Sequence, residues 1–164
     1  MTNLYKNTVT KTVIFLSLIL SVSCADKASK KTVDNAAQLD KDLEMYQGVW
    51  NAFLAGDTSV INANNFTEDV VVVTAEGDIV GIEGVKNHYL NYLKGFTEIE
   101  WKIKDAFGQG DRLVKHWNFK GKHTGDFFGI PATGNFLDLS GTTMVTMKGG
   151  KIAKEHDFFD MKSM

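Results

Sequence analysis

The sequence predicts an α+β domain in which helices cover one face of a curved antiparallel sheet. The grounds are an amphipathic helical stripe near the start, a second one in the middle, and then four long alternating segments separated by glycine-containing turns. From Gln38 to Ala55, Leu39, Leu43, Tyr46, Val49, Trp50 and Phe53 recur at spacings of three and four, which sets them on one stripe. Gly56-Asp57 offers a C-terminal cap. Residues 59–66 read as a second, short helix. Asp69 to Thr74 holds four consecutive valines, a strand signal, and Glu76-Gly77-Asp78 reads as a turn. A further helix is expected from Ile82 to Phe96, with Val85, Tyr89, Leu90 and Leu93 facing inward.

The remainder is strand territory. Thr97 to Phe107 places Ile99, Trp101 and Ile103 on one face and Glu98, Glu100, Lys102 and Lys104 on the other. Gly108 to Asp111 reads as a hairpin turn. Arg112 to Thr124 puts Leu113, Trp117, Phe119 and His123 on one parity. A loop with Gly125, Gly129, Pro131 and Gly134 follows, then strands at Phe136–Met147 and Lys151–Phe159 joined by Gly149-Gly150.

The first residues bear on the compartment. Lys6 and Lys11 make the opening stretch positive, and no acid precedes Asp26. Thr12 to Val22 is an apolar run of 11 residues, short of the roughly 20 that a spanning helix needs and fitting for a signal-peptide core. Cys24 is the only cysteine, so it cannot be half of an internal disulfide. The segment LSVSC at residues 20–24 resembles a lipobox, which implies that Cys24 is lipidated, becomes the mature N-terminus and anchors the protein in a bacterial cell envelope after export across the inner membrane. The alternative is an ordinary signal peptide cut nearby, leaving Cys24 as a free thiol. The organisation expected is a signal peptide over 1–23, a lipidated cysteine and flexible tether over 24–36, and one domain over 37–164.

Without Lys6 and Lys11, 16 basic residues face 20 acidic ones, a net charge of −4. A mildly acidic surface without a basic run gives no electrostatic reason to expect nucleic acid. No HxH or HExxH spacing suggests a metal, and no G-x-S-x-G turn suggests serine hydrolysis. If Cys24 serves the anchor, no thiol chemistry remains.

Residues 121–134, GKHTGDFFGIPATG, resemble the SnoaL-like polyketide cyclase family, whose members show a Gly-x-His-Thr-Gly-acid stretch followed by Gly-x-Pro-x-Thr-Gly. Gly149-Gly150-Lys151-Ile152 and the aromatic, acidic stretch ending in Asp160-Met161 agree with it, and the resemblance extends over roughly residues 40–162. It implies a nuclear transport factor 2-like cone: a strongly bent antiparallel sheet wrapped over helices, with a pocket between them. It also implies an aldol-type cyclisation without cofactor or metal, an aspartate near the end of the last strand as acid/base (Asp160 here), and sheet faces that pair into a homodimer.

The candidate catalytic pair is therefore His123 and Asp160. His123 shares parity with Trp117 and Phe119 and should face the enclosed side, either as a proton relay or as a brace for the Gly125–Gly134 loop. Asp160 shares parity with His156 and Phe158; it is either a general base with a pKa raised by aromatic walls or a solvated strand-end acid. Asp157 has the opposite parity and is expected to be exposed, as are His116 and His88. Candidate binding residues are Tyr46, Trp50, Trp117, Phe119, His156 and Phe158. Tyr46 and Trp50 belong to a stripe that is core in one reading and pocket lining in the other. The expectation is an envelope-anchored domain that binds a small hydrophobic or aromatic molecule and uses an Asp/His pair for cofactor-free proton transfer of the cyclase or isomerase type. The rival is a non-catalytic ligand-binding or dimeric scaffold lipoprotein.

Overall fold

The computed structural model describes residues 35–159. Its helices are α1 (35–54) and α2 (Ile82–Gly95). Its strands are β1 (Phe66–Thr74), β2 (Gly77–Val80), β3 (Phe96–Gln109), β4 (Arg112–His123), β5 (Phe136–Lys148) and β6 (Lys151–Phe159). Cys24, the tether as far as residue 34 and Asp160 lie outside the described residues, whereas Asn35 and Ala36, expected in the tether, open α1. Among those residues no helix is long and apolar enough to cross a membrane.

Helix α1 stops as its sequence requires. Gly56 adopts φ 102, and the amides of Gly56 and Asp57 donate to the carbonyls of Phe53 and Ala52, the paired bonds of a Schellman motif. A 3₁₀ turn at Thr58–Val60 stands in place of the short helix expected over 59–66. Asn62 explains the difference: its Nδ2 donates to the Ser59 carbonyl at 2.6 Å and its Oδ1 accepts from the Asn64 amide at 2.7 Å, so local bonds displace helical ones. Gly77 and Asp78 belong to strand β2 rather than to the turn, which is confined to Ala75 and Glu76.

The six strands form one open sheet in the order β2-β1-β6-β5-β4-β3. The α+β class holds, with one refinement: the sheet is mixed, because β1 runs parallel to β6 while every other pair is antiparallel. Bulges bend it. The β3–β4 register shifts between Thr97 and Glu100, where Glu98 has φ 54, and again between Ile103 and Asp105. Ala153 is an extra residue on β6, since Lys154 pairs with Thr146 but Ile152 pairs with Met147.

The buried side chains fall into two clusters. One joins α1, β1 and α2 through Tyr46, Trp50, Phe53, Phe66, Val72 and Tyr89. The other gathers Phe96, Trp117, Phe119, Phe127, Leu137 and Leu139 at the far end of the sheet. Trp117 lies across Gly141, its partner in register, because a Cβ there would sit 2.3 Å from Trp117 Cζ2. Gly141→Ala is accordingly expected to push the indole off the strand and destabilise the domain by about 1–3 kcal/mol. Urea unfolding measures the loss, and unchanged stability would show that the indole can shift freely.

Candidate functional site

The bulge at Ala153 decides which side chains of β6 face inward. A regular strand would carry Ile152, Lys154, His156 and Phe158 on one face. With one residue inserted, Ile152 still points to the core, but Glu155 follows it there at 0% exposure. Asp157 follows Glu155 and lines a cavity, so the expectation that Asp157 is exposed is corrected. His156 and Phe158 fall on the other face, their rings 4.0 Å apart and Phe158 46% exposed.

The cavity sits at the seam between the two clusters, drawing Trp50, Phe53 and Tyr89 from the first and Trp117 and Phe119 from the second. Leu54, Tyr92 and Trp101, all only partly buried, mark its open side. Its volume is about 40 Å³. At 10–15 Å³ per water, that is room for roughly three waters or the reactive end of a larger molecule.

Its polar groups are few and specific. Both oxygens of each carboxylate are occupied. Glu155 Oε1 accepts from the Tyr46 hydroxyl and from Trp50 Nε1 at 3.2 Å, and its Oε2 lies 3.2 Å from the Tyr89 hydroxyl. Asp157 Oδ2 lies 3.1 Å from the same hydroxyl, and Oδ1 accepts from Thr143 at 2.5 Å. Thr143 in turn accepts from Trp117 Nε1 at 3.0 Å. Of the lining residues, two carry side-chain nitrogens with no acceptor among the described residues. One is Trp101 Nε1. The other is Lys115 Nζ, which stands 4.9, 5.1 and 5.0 Å from the ring centroids of Tyr46, Trp50 and Trp101.

Counting hydrogens then assigns a proton. Tyr89 has one hydroxyl hydrogen and stands within bonding distance of two carboxyl groups. Both contacts are satisfied when Glu155 is protonated and donates to Tyr89, which donates to Asp157. The electrostatics agree: burial pushes the Glu155 carboxyl up to about 7, against the opposing pull of Lys115. Burial also lifts the Tyr46 and Tyr89 phenols well above their ordinary range, so both remain donors. Burial lowers Lys115, while Glu155 and Asp157 pull it back up.

Residues 43–164 match the family described as SnoaL-like polyketide cyclase. The chain belongs to that family. Among solved structures, a SnoaL-like polyketide cyclase family protein from Jannaschia sp. CCS1 superposes with a TM-score of 0.70 at 20% identity, covering 76% of this chain and 88% of that one. TsrD from Streptomyces laurentii gives 0.64 at 20%, covering 77% and 91%. TerC, co-crystallised with polyporic acid, gives 0.60 at 20%, covering 74% and 93%. No curated protein matches the sequence.

The SnoaL-like fold puts the remaining candidates in clear positions. Trp50, Trp117 and Phe119 line the cavity. Tyr46 is fully buried and gives its hydroxyl to Glu155 rather than to a ligand. His123 is outside the lining: it stacks on Phe96 at 5.1 Å, its Nδ1 is 3.1 Å from Thr133 Oγ1, and its backbone pairs with Gly134 and Asn135. That geometry braces the 124–135 loop. His116 is exposed, as expected. His88 is not a free surface residue, being packed between Tyr89 and Phe128 at 5.1 and 4.9 Å, where burial lowers its pKa. Lys115, Glu155 and Thr143 escaped sequence reasoning, although Lys115 shares the parity of Leu113, Trp117 and Phe119.

Glu155 also ties stability to pH. Its folded pKa of about 7 exceeds the ordinary 4.5, so the folded state holds the proton more tightly. The stabilisation is complete below about pH 4.5 and is lost as pH rises through about 7, a change on the order of 3 kcal/mol. Glu155→Gln, which keeps a neutral side chain, is expected to flatten the fall in stability over that window. Chemical denaturation at a series of pH values reads it, and an unchanged slope would place the proton elsewhere.

Proposed function

We propose that the cavity takes the carbonyl end of a small, planar, largely apolar molecule and moves a proton at the neighbouring carbon, with Asp157 as the base. One observation carries this reading: among the described residues, the cavity is lined both by Lys115 and Trp101, whose side-chain nitrogens have no acceptor, and by Asp157, whose two oxygens already meet Thr143 and Tyr89. Such a wall asks a ligand for an acceptor, as a carbonyl oxygen is, and for an acidic C–H. The aromatic lining favours a flat apolar body. The co-crystal of TerC with polyporic acid supports a small organic ligand in this fold.

Proton abstraction turns a neutral carbonyl compound into an enolate while Asp157 becomes neutral, so the total charge of the site is unchanged as negative charge moves toward Lys115. A nearby cation stabilises that developing charge. Tyr89 and Glu155 then form a relay behind Asp157. The role given to Asp160 by resemblance and to His123 by its strand parity passes, in this reading, to Asp157 and its tyrosine-linked partner.

The test is deuterium exchange at the methylene of phenylacetaldehyde in D₂O, followed by NMR. Asp157→Asn is expected to slow the protein-dependent exchange by about 10²–10⁴-fold. Exchange at the wild-type rate in that variant would refute the assignment. A small molecule retained in native mass spectrometry, with no exchange, would favour the non-catalytic rival.

The reading extends to location. The positive start, the 11-residue apolar run and the lone Cys24 support export and a lipid anchor. Each acyl CH₂ buried in a bilayer adds about 0.8 kcal/mol. Cys24→Ala is expected to move the protein from the membrane fraction to the soluble envelope fraction; a membrane-bound variant would argue against the anchor.

A further inference from the structure

Lys115 stands out among the described residues as a buried amine with no hydrogen-bond acceptor. The residue is 4% exposed. Among the described residues no carboxylate lies within 4.0 Å of its Nζ, the range in which Lys120 meets Asp138 at 2.8 Å. Its surroundings are three aromatic rings and the cavity it lines. A surface lysine is kept as an inert ammonium by bulk water; this one meets only the small cavity it lines and three aromatic rings, with no counter-ion in salt-bridge range among the described residues. A lysine desolvated in an apolar pocket is the setting in which the neutral, nucleophilic amine becomes accessible near neutral pH. Burial acts in the same direction, outweighing the pull of the two carboxylates.

We propose that Lys115 captures an aldehyde or ketone covalently, as a protonated imine, and that proton transfer by Asp157 takes place on that adduct. This rests on the carbonyl reading of the cavity and supplies its electron sink. The Nζ lone pair forms a bond to the carbonyl carbon and the C=O π pair moves to oxygen. One nitrogen proton is carried to that oxygen by Asp157, giving a neutral carbinolamine. The C–O bond then breaks. The hydroxyl leaves as water with a proton that starts on Glu155 and arrives through the Tyr89 hydroxyl and Asp157, while the nitrogen lone pair closes the C=N bond. Protonated Glu155, a neutral amine and a carbonyl thus become a Glu155 carboxylate, an iminium cation and water, with charge balanced and no oxidant or reductant consumed. Asp157, again a carboxylate, removes the proton beside the iminium carbon to give an enamine.

The chain distinguishes this lysine from the others. Lys102, Lys104 and Lys154 are exposed on strand faces in water. Lys115 shares its cavity with Asp157 and Tyr89, and the Tyr89 hydroxyl links Asp157 to Glu155 behind the lining.

The experiment incubates the full-length protein with phenylacetaldehyde and sodium cyanoborohydride at pH 7, which reduces an iminium to a stable secondary amine, and maps the adduct by peptide mass spectrometry. The expected result is labelling of Lys115 at least about tenfold faster than of exposed lysines such as Lys102 and Lys104, the fold-change set by roughly 1.4 kcal/mol of preferential activation. Lys115→Arg, with its fold checked by circular dichroism, should lose that fast label. Tyr89→Phe should keep Lys115 but slow its labelling. Label confined to exposed lysines in the wild type, or fast label persisting in Lys115→Arg, overturns the proposal. The two readings fail separately. Deuterium exchange that needs Asp157 but proceeds without a Lys115 adduct removes the covalent step alone. A Lys115 adduct without exchange removes proton transfer alone.

Discussion

The arrangement depends on three ionisable side chains, Lys115, Glu155 and Asp157, held inside an aromatic shell. Taking a charge out of water costs several kcal/mol unless the protein supplies an equivalent set of dipoles. Here the dipoles are two phenols, one indole and one hydroxyl, drawn from α1, α2 and β5. Each helix therefore contributes a donor to the sheet as well as an apolar face. The tyrosines serve both ends of that bargain, with rings in the core and hydroxyls on the carboxylates. Tyr46 and Tyr89 are almost completely buried, and loss of the Tyr89 hydroxyl would leave Asp157 Oδ2 without its donor in a place water reaches poorly.

The carboxylates reach that shell only because β6 is irregular. Without the extra residue at Ala153, a strand beginning with Ile152 in the core would send His156 and Phe158 inward and both acids outward. The bulge lies beside the central β1–β6 pairing, where the register also shifts between Phe66 and Val71. The two bulges of β3 bend the opposite edge of the sheet, and Trp101 stands between them. Curvature and site are thus made by the same defects: those that bend the sheet enough to leave a hollow also aim the acids into it.

This explains how much was legible in the sequence. Helical stripes and alternating strands are local patterns, and Tyr46, Trp50, Trp117 and Phe119 could be placed from them. The parallel docking of β1 against β6 is non-local and has no signature in Asp69–Thr74. The inward turn of Glu155 and Asp157 was hidden for a sharper reason. Parity counting assumes a period of two, and nothing in Lys-Ile-Ala-Lys-Glu marks Ala153 as the inserted residue. His123 was legible as buried, and the Gly-Asp-Phe-Phe-Gly loop behind it shows why: the ring fills space between Phe96 and Phe127 while the backbone closes the loop. Lys115 was visible on the apolar parity, but a lysine in an alternating strand is ordinarily assigned to water, and only its three ring neighbours show otherwise.

The hollow is small for an aromatic body. A cavity of about 40 Å³ is well below the roughly 150 Å³ that accommodates a benzene in an apolar protein core. In the proposed reading a planar ligand enters by one end, with its ring toward Leu54, Tyr92 and Trp101 and its functional group inward. That order of entry matters chemically. On that proposal the functional group would meet Lys115 and Asp157 where water has been displaced and each electrostatic contact is strengthened, with the ring packed behind it. Selectivity then arises less from the shape of the ring than from the group at its end. A group that cannot accept a hydrogen bond would leave the two nitrogens of the wall unanswered, and an unpaired buried donor costs more than a missing apolar contact.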